Sequence, residues 1–142
     1  MGVLIHHNHT AFDPPDDNQF TQLAYEVIRL ENVKAGDINV IFTNNEEILE
    51  LNRKYLNHDY YTDVIAFHYG AGSEVEGDVF ISMDKVQENA DDYGVTFTNE
   101  LLRVTIHGLL HLIGYTDTTQ AEKHKMHKLE DKYIEYYHQH FS

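Results

Sequence analysis

Apolar positions along the chain switch between two periods. In "NQFTQLAYEVIRLEN", Phe20, Leu23, Ala24, Val27 and Ile28 recur every three or four residues, which places them on one face of a helix. "DINVIF" from Asp37 is instead β-branched and predicts a strand, and "VLIHH" near the start reads as a shorter one. "NNEEILELNRKYL" opens on an asparagine suited to capping and continues as a helix. Two further strands follow, "DVIAFHY" from Asp63 and "GDVFISM" from Gly77, separated by a loop containing glycine. A helix from Asp84 stops near Gly94, a second runs from Thr98 to Gly114, and a last one starts near Thr119, where Thr119 and Glu122 have capping-box spacing. Short strands interleaved with helices predict a small sheet covered by helices.

Length and composition narrow this picture. A chain of 142 residues with 42% hydrophobic content can bury one core of ordinary size, so residues 1–142 are expected to form one domain. No apolar run approaches the roughly 20 residues of a membrane span, and "MGVLIHHNHT" lacks the basic start of a signal peptide; a cytoplasmic protein is expected. Pro14-Pro15 breaks the chain before the first helix. With no cysteine, disulfides and thiolate metal sites are excluded, and any zinc must be held by imidazole and carboxylate.

The net charge of −14 argues against a broad basic surface for nucleic acid. Lys123, Lys125, Lys128 and Lys132 alternate with Glu122, Glu130, Asp131 and Glu135, which reads as the solvated face of the last helix. Among the eleven histidines, His6, His7 and His9 form either a metal-binding run or a solvated strand end, the simpler reading.

The chemistry-bearing stretch is "HGLLHLIGYTD". His107 and His111 stand at i and i+4, so both rings leave one helix face a turn apart. Gly114 offers a helix stop, after which the chain can bring Asp117 back toward the rings. Two imidazoles, one carboxylate and an open position form the layout of a catalytic zinc site. The competing reading is a core helix that happens to carry two histidines, as His124 and His127 form a close pair on a charged helix. The spacing leaves both open. Zinc peptidases of the H-E-x-x-H type carry a glutamate after the first histidine, and here that residue is Gly108, which counts against peptidase chemistry.

"HGLLHLIGY" resembles the signature of the YbeY family of metal-dependent endoribonucleases. The resemblance extends through "EGDVFIS" and "LNRKYLNHDYYTDVIAF" and covers roughly residues 46 to 131, with the blocks in the family's order. It implies an α+β fold: a small mixed, mostly parallel sheet of about four strands covered by helices, with a zincin-like metal helix at one edge of a cleft. It implies His107, His111 and Asp117 as ligands of one Zn²⁺, Asp117 standing where the family has its third histidine. It also implies His107 as a catalytic residue, single-stranded RNA as substrate, and a role in maturing the 3′ end of small-subunit ribosomal RNA and in ribosome quality control.

The sequence departs from the family pattern at Leu56, where many members carry an arginine, so Arg53 and Lys54 are the nearest cations that can take over. Arg53 is the catalytic candidate; a surface role is its bland reading. Arg103 is a further cation to consider near the RNA. Asp59, Thr62 and Asp63 match the block leading into the strand, as turn formers or as the wall of the cleft opposite the metal. Two rival functions follow from the same residues: a metal-binding ribosome assembly factor with little nuclease activity, and a zinc peptidase.

Overall fold

The computed structural model describes residues 2–8, 16–57, 62–69 and 74–141; His9, Pro14, Pro15 and Asp59 lie outside the described residues. Strand β1 (Gly2–His7) is followed by helix α1 (Asp17–Leu30), strand β2 (Lys34–Thr43) and helix α2 (Asn45–Leu51), which runs into a π-helical turn at Asn52–Leu56. Strands β3 (Val64–His68) and β4 (Glu74–Ser82) come next, then helices α3 (Met83–Tyr93), α4 (Phe97–Ile113) and α5 (Gln120–Phe141).

The strands form one sheet in the order β1-β2-β4-β3. β2 pairs in parallel with both β1 and β4, while β3 is antiparallel at the far edge. The fold is therefore α+β with a mixed, mostly parallel four-stranded sheet, as the sequence led one to expect. β2 and β4 each begin three residues before the sequence reading placed them, at Lys34 and Glu74. Pairing between Ala35 and Val75 draws these polar starts into the sheet.

Side chains on alternate strand positions decide which face is covered. Val3, Ile38, Val40, Phe42, Val79 and Ile81 are buried on the face that receives the helices. α1 meets that face through Phe20, Leu23, Ala24, Val27 and Ile28, the residues its periodicity selects, and the Asp16 carboxylate accepts from Gln19 N–H to cap it. Phe20 packs edge-on against both Phe42 and Tyr137, joining α1, β2 and α5. Each such fully buried apolar side chain contributes about 1.5–3 kcal/mol. The opposite face carries a polar ladder across the strands. His6 Nε2 donates to Asn39 Oδ1 (2.9 Å), Asn39 Nδ2 donates to Asp78 Oδ1 (3.0 Å), and the Tyr69 hydroxyl donates to Asp78 Oδ2 (2.6 Å).

His7 bonds Asp17 Oδ1 at 2.8 Å, so His6 and His7 engage different partners at a strand end.

α4 lies directly on β3 and β4, and Gly108 is what allows it. A Cβ on Gly108 meets Val79 Cγ1 at 2.4 Å and Val64 Cγ2 at 3.1 Å. Position 108 therefore faces the sheet and has no room for the glutamate of a peptidase motif.

Candidate metal centre

The site is built at the C-terminal end of α4. Thr96 Oγ1 accepts from Asn99 N–H to start the helix, and Leu101, Leu102, Ile106, Leu109 and Leu110 are buried along it. His107 and His111 point from its half-buried face with ring centroids 4.5 Å apart. Gly114 ends the helix with φ +124°, a conformation that a β-carbon disfavours. The chain then turns so that Asp117 Oδ2 lies 3.3 Å from His107 Nε2 and 3.7 Å from His111 Nε2.

Partners on the far side of each ring fix which nitrogen faces the centre. His107 Nδ1 contacts Glu130 Oε2 at 2.6 Å, and His111 Nδ1 contacts the Tyr115 carbonyl at 3.0 Å. An ionised carboxylate and a carbonyl only accept, so both Nδ1 atoms donate, and each neutral ring presents its Nε2 lone pair inward. The two Nε2 atoms are 2.9 Å apart. With both rings neutral, two nitrogens and a carboxylate oxygen face one point, a set of acceptors that a cation satisfies. The ligand atoms of His107, His111 and Asp117 all lie within 4.8 Å of one another and can hold a metal ion. Tetrahedral zinc at a bond length near 2.05 Å separates its ligands by about 3.3 Å, which the 2.9, 3.3 and 3.7 Å separations bracket.

The surroundings are tuned for positive charge. Burial works against a charged His107 ring, but Glu130, then Asp117 and Asp63, outweigh it and hold its pKa above the ordinary histidine value. Burial pushes the Asp63 carboxyl up, with His107 pulling the other way. Glu100 is raised chiefly by burial and then by the charge of Asp63.

Glu130 corrects the reading of the last helix. It does not belong to the solvated face: its side chain is 6% exposed and sits against His107. Its position was visible in principle, because Met126, Glu130, Tyr133 and Tyr137 share one helical stripe and are all buried. Arg103 is committed here too, donating to Glu130 Oε1 at 3.0 Å and to Asp131 Oδ1 at 2.6 Å. Its charge is offset by these carboxylates and is not available in full to RNA. Tyr115, which positions His111 through its carbonyl, is itself anchored, its hydroxyl donating to Glu31 Oε1 at 2.5 Å. Tyr133 donates to the other oxygen of Glu31.

Two cavities flank the centre. One of 690 Å³ lies on the His111 side, with Asn52, Leu56, Thr62 and Ala66 facing His111 and Asp117. The other, of 570 Å³, lies on the His107 side, where Asp63 and Glu100 are part of its wall. Thr62 and Asp63 thus line different cavities, and the Asp63 carbonyl also accepts from Ser82 N–H at strand entry. The π-helical turn directs Leu56 and Asn52 to the cleft, while Arg53 is exposed and is not among the residues that line it.

The model of the family described as endoribonuclease YbeY matches residues 6–138. The chain belongs to the YbeY endoribonuclease family. A YbeY endoribonuclease of Flavobacterium psychrophilum is 43% identical over 127 residues, covering 89% of this chain and 91% of the relative. That of Bacteroides thetaiotaomicron is 48% identical over 99 residues, 70% of this chain and 72% of the relative. The solution structure of TM1509 from Thermotoga maritima superposes with a TM-score of 0.66 at 29% identity, covering 94% of this chain and 89% of that one. Within this YbeY-family fold, the three residues that the motif selects from sequence are the ones whose ligand atoms converge.

Proposed function

We propose that this chain is a zinc-dependent endoribonuclease that cleaves single-stranded RNA, with His107, His111 and Asp117 holding one Zn²⁺. The observation that carries the reading is the convergence of three acceptor atoms beside an open cleft. Bound there, zinc supplies a Lewis acid for a phosphoryl oxygen and a water of lowered pKa.

The chain's own residues orient both sides. Glu130 and the Tyr115 carbonyl hold the two rings in register, so His107 is a ligand whose direction is fixed before substrate arrives. Along the opposite wall Asn52 is buried, Thr62 offers a neutral hydrogen bond, and Leu56 offers an apolar surface. Arg53, exposed on the neighbouring turn, supplies positive charge to a phosphate at the rim. The biological substrate in this reading is the 3′ end of small-subunit ribosomal RNA, in maturation and in ribosome quality control, with the small subunit as partner. Residues 1–142 act as one domain, in the cytoplasm; among the described residues no helix is long and apolar enough to cross a membrane.

The test combines metal analysis with cleavage of a labelled single-stranded RNA. About one zinc per chain and chelator-sensitive cleavage are expected, both lost in His111→Ala; full metal occupancy in that variant overturns the ligand assignment. A second reading, a metal-binding assembly factor with little nuclease activity, is favoured by Leu56 in the cleft and by the net charge of −14. Metal retention without RNA cleavage, together with binding to the small subunit, decides for it.

A further inference from the structure

The 570 Å³ cavity on the His107 side has no part in the reading above. Val64 borders both cavities, and the metal-binding residues divide between them, His107 to this one and His111 with Asp117 to the other. A single strand whose phosphate lies at the centre therefore has a recess on each side.

The walls of this recess state what fits. Val95, Val104 and Ile134 give it apolar surfaces, and Tyr93 stands at the rim, 67% exposed. Asp63, Asn89, Asn99 and Glu100 give it hydrogen-bonding groups. Glu100 is 5% exposed, and Asp63 is held by Asn89 Nδ2 at 3.2 Å, so both carboxyl groups are fixed in place. A phosphate is repelled here, because Arg103, a cation in the wall, is already bridged to Glu130 and Asp131. A second metal is disfavoured as well: among the described residues the carboxylates of Asp63, Glu100 and Glu130 form no converging ligand group. What remains is a flat molecule with apolar faces and N–H donors on its edge.

We propose that this cavity receives the nucleobase next to the scissile phosphate and selects cytosine and adenine, whose exocyclic amino groups are donors, over uracil. The proposal rests on the reading of the centre as an RNA-cleaving site. The amino group of cytosine or adenine donates to a buried carboxylate, whereas the matching position of uracil is a carbonyl, which a carboxylate repels. The apolar walls take the faces of the ring by stacking and dispersion.

Uncharged nucleosides test this without any contribution from phosphate. Cytidine, adenosine and uridine are titrated separately into the isotope-labelled full chain, and the side-chain amide resonances of Asn89 and Asn99 are followed. Saturable shifts with cytidine and adenosine are expected, with uridine about tenfold weaker, the worth of one hydrogen bond to a charged group. Glu100→Gln, which adds a donor at the same place, should erase the preference. Val95→Trp, at an exposed position where folding is not at stake, should block the cavity for all three. Equal binding of uridine overturns the selection; shifts that survive Val95→Trp, or that appear at the Asn52 side-chain amide and not at those of Asn89 and Asn99, overturn the site. Because no cleavage is read, a negative result leaves RNA hydrolysis standing, and a chain that cleaves no RNA still reports whether the cavity binds bases.

Discussion

Glu130 is the carboxylate that gives the His107 ring its direction. The 2.6 Å contact fixes the tautomer and makes Nε2 a better donor to a cation. Glu130→Ala should weaken zinc binding by about 10–100-fold, with Glu130→Gln retaining part of the affinity through its own carbonyl; competition against a chelating dye measures both. Leu56 tests the opposite wall. Leu56→Arg restores positive charge to the cleft and should raise RNA cleavage by about tenfold or more, since one charged contact to a developing phosphoryl charge is worth several kcal/mol. An unchanged rate with the fold intact would show that Arg53 or another cation already fills that role. The two histidines and Asp117 were legible because a helix and one turn bring them together within eleven residues of sequence. For Glu130 only its place on the buried stripe with Met126, Tyr133 and Tyr137 was legible; its contact with His107 was not, because it arrives from a different helix and a lone glutamate among lysines has the same appearance whether it faces water or a ring.

At the scale of elements, α4 sets the site's height above the sheet. Gly108 leaves Val79 in contact with the helix backbone, so Gly108→Ala forces the two apart. The gain in helix propensity is at most about 1 kcal/mol, while overpacking costs about 1–3 kcal/mol, and the net is expected to be destabilising. Urea unfolding of Gly108→Ala, and of the same change combined with Val79→Ala, checks this: the second substitution should recover part of the loss. Caps are local, so Asn44 and Thr119 marked two helix starts in the sequence; Ser82 and Thr96 likewise accept from the backbone N–H three residues on, and their helices start one residue before the Asp84 and Thr98 that the sequence reading gave. The π-helical turn at Asn52–Leu56 was not readable. It widens a helix by one residue without changing composition, yet it decides that Leu56 and not Arg53 lines the cleft.

For the whole molecule, charge and topology carry the argument. A chain at −14 gains RNA affinity only where local cations meet phosphate. Reversing Arg53 and Lys54 together should weaken binding and reduce the salt slope by about 1.4, two contacts at ~0.7 each on a single strand. Reversing Lys125 and Lys128 should leave both nearly unchanged; binding against salt for the two double variants decides it, and a larger loss from the α5 pair would move the RNA path onto that helix. A small sheet covered by helices was legible from alternating periods, and its mixed, mostly parallel character from the family resemblance, but the strand order β1-β2-β4-β3 was not, since pairing partners are chosen by packing between segments far apart in sequence.

Glu31 joins distant parts of the chain by receiving two tyrosine hydroxyls, one 84 and the other 102 residues away. Through Tyr115 it holds the loop that completes the metal centre, so the centre takes shape only after both ends of the chain have docked. Contacts of such sequence separation pay loop-closure entropy before they reward it, and we expect these to form after the folding transition state. A metal held as proposed would then be a ligand of the finished protein and not of its folding transition state. It should slow unfolding while leaving the refolding rate almost unchanged, a division that stopped-flow measurements with and without the metal read directly.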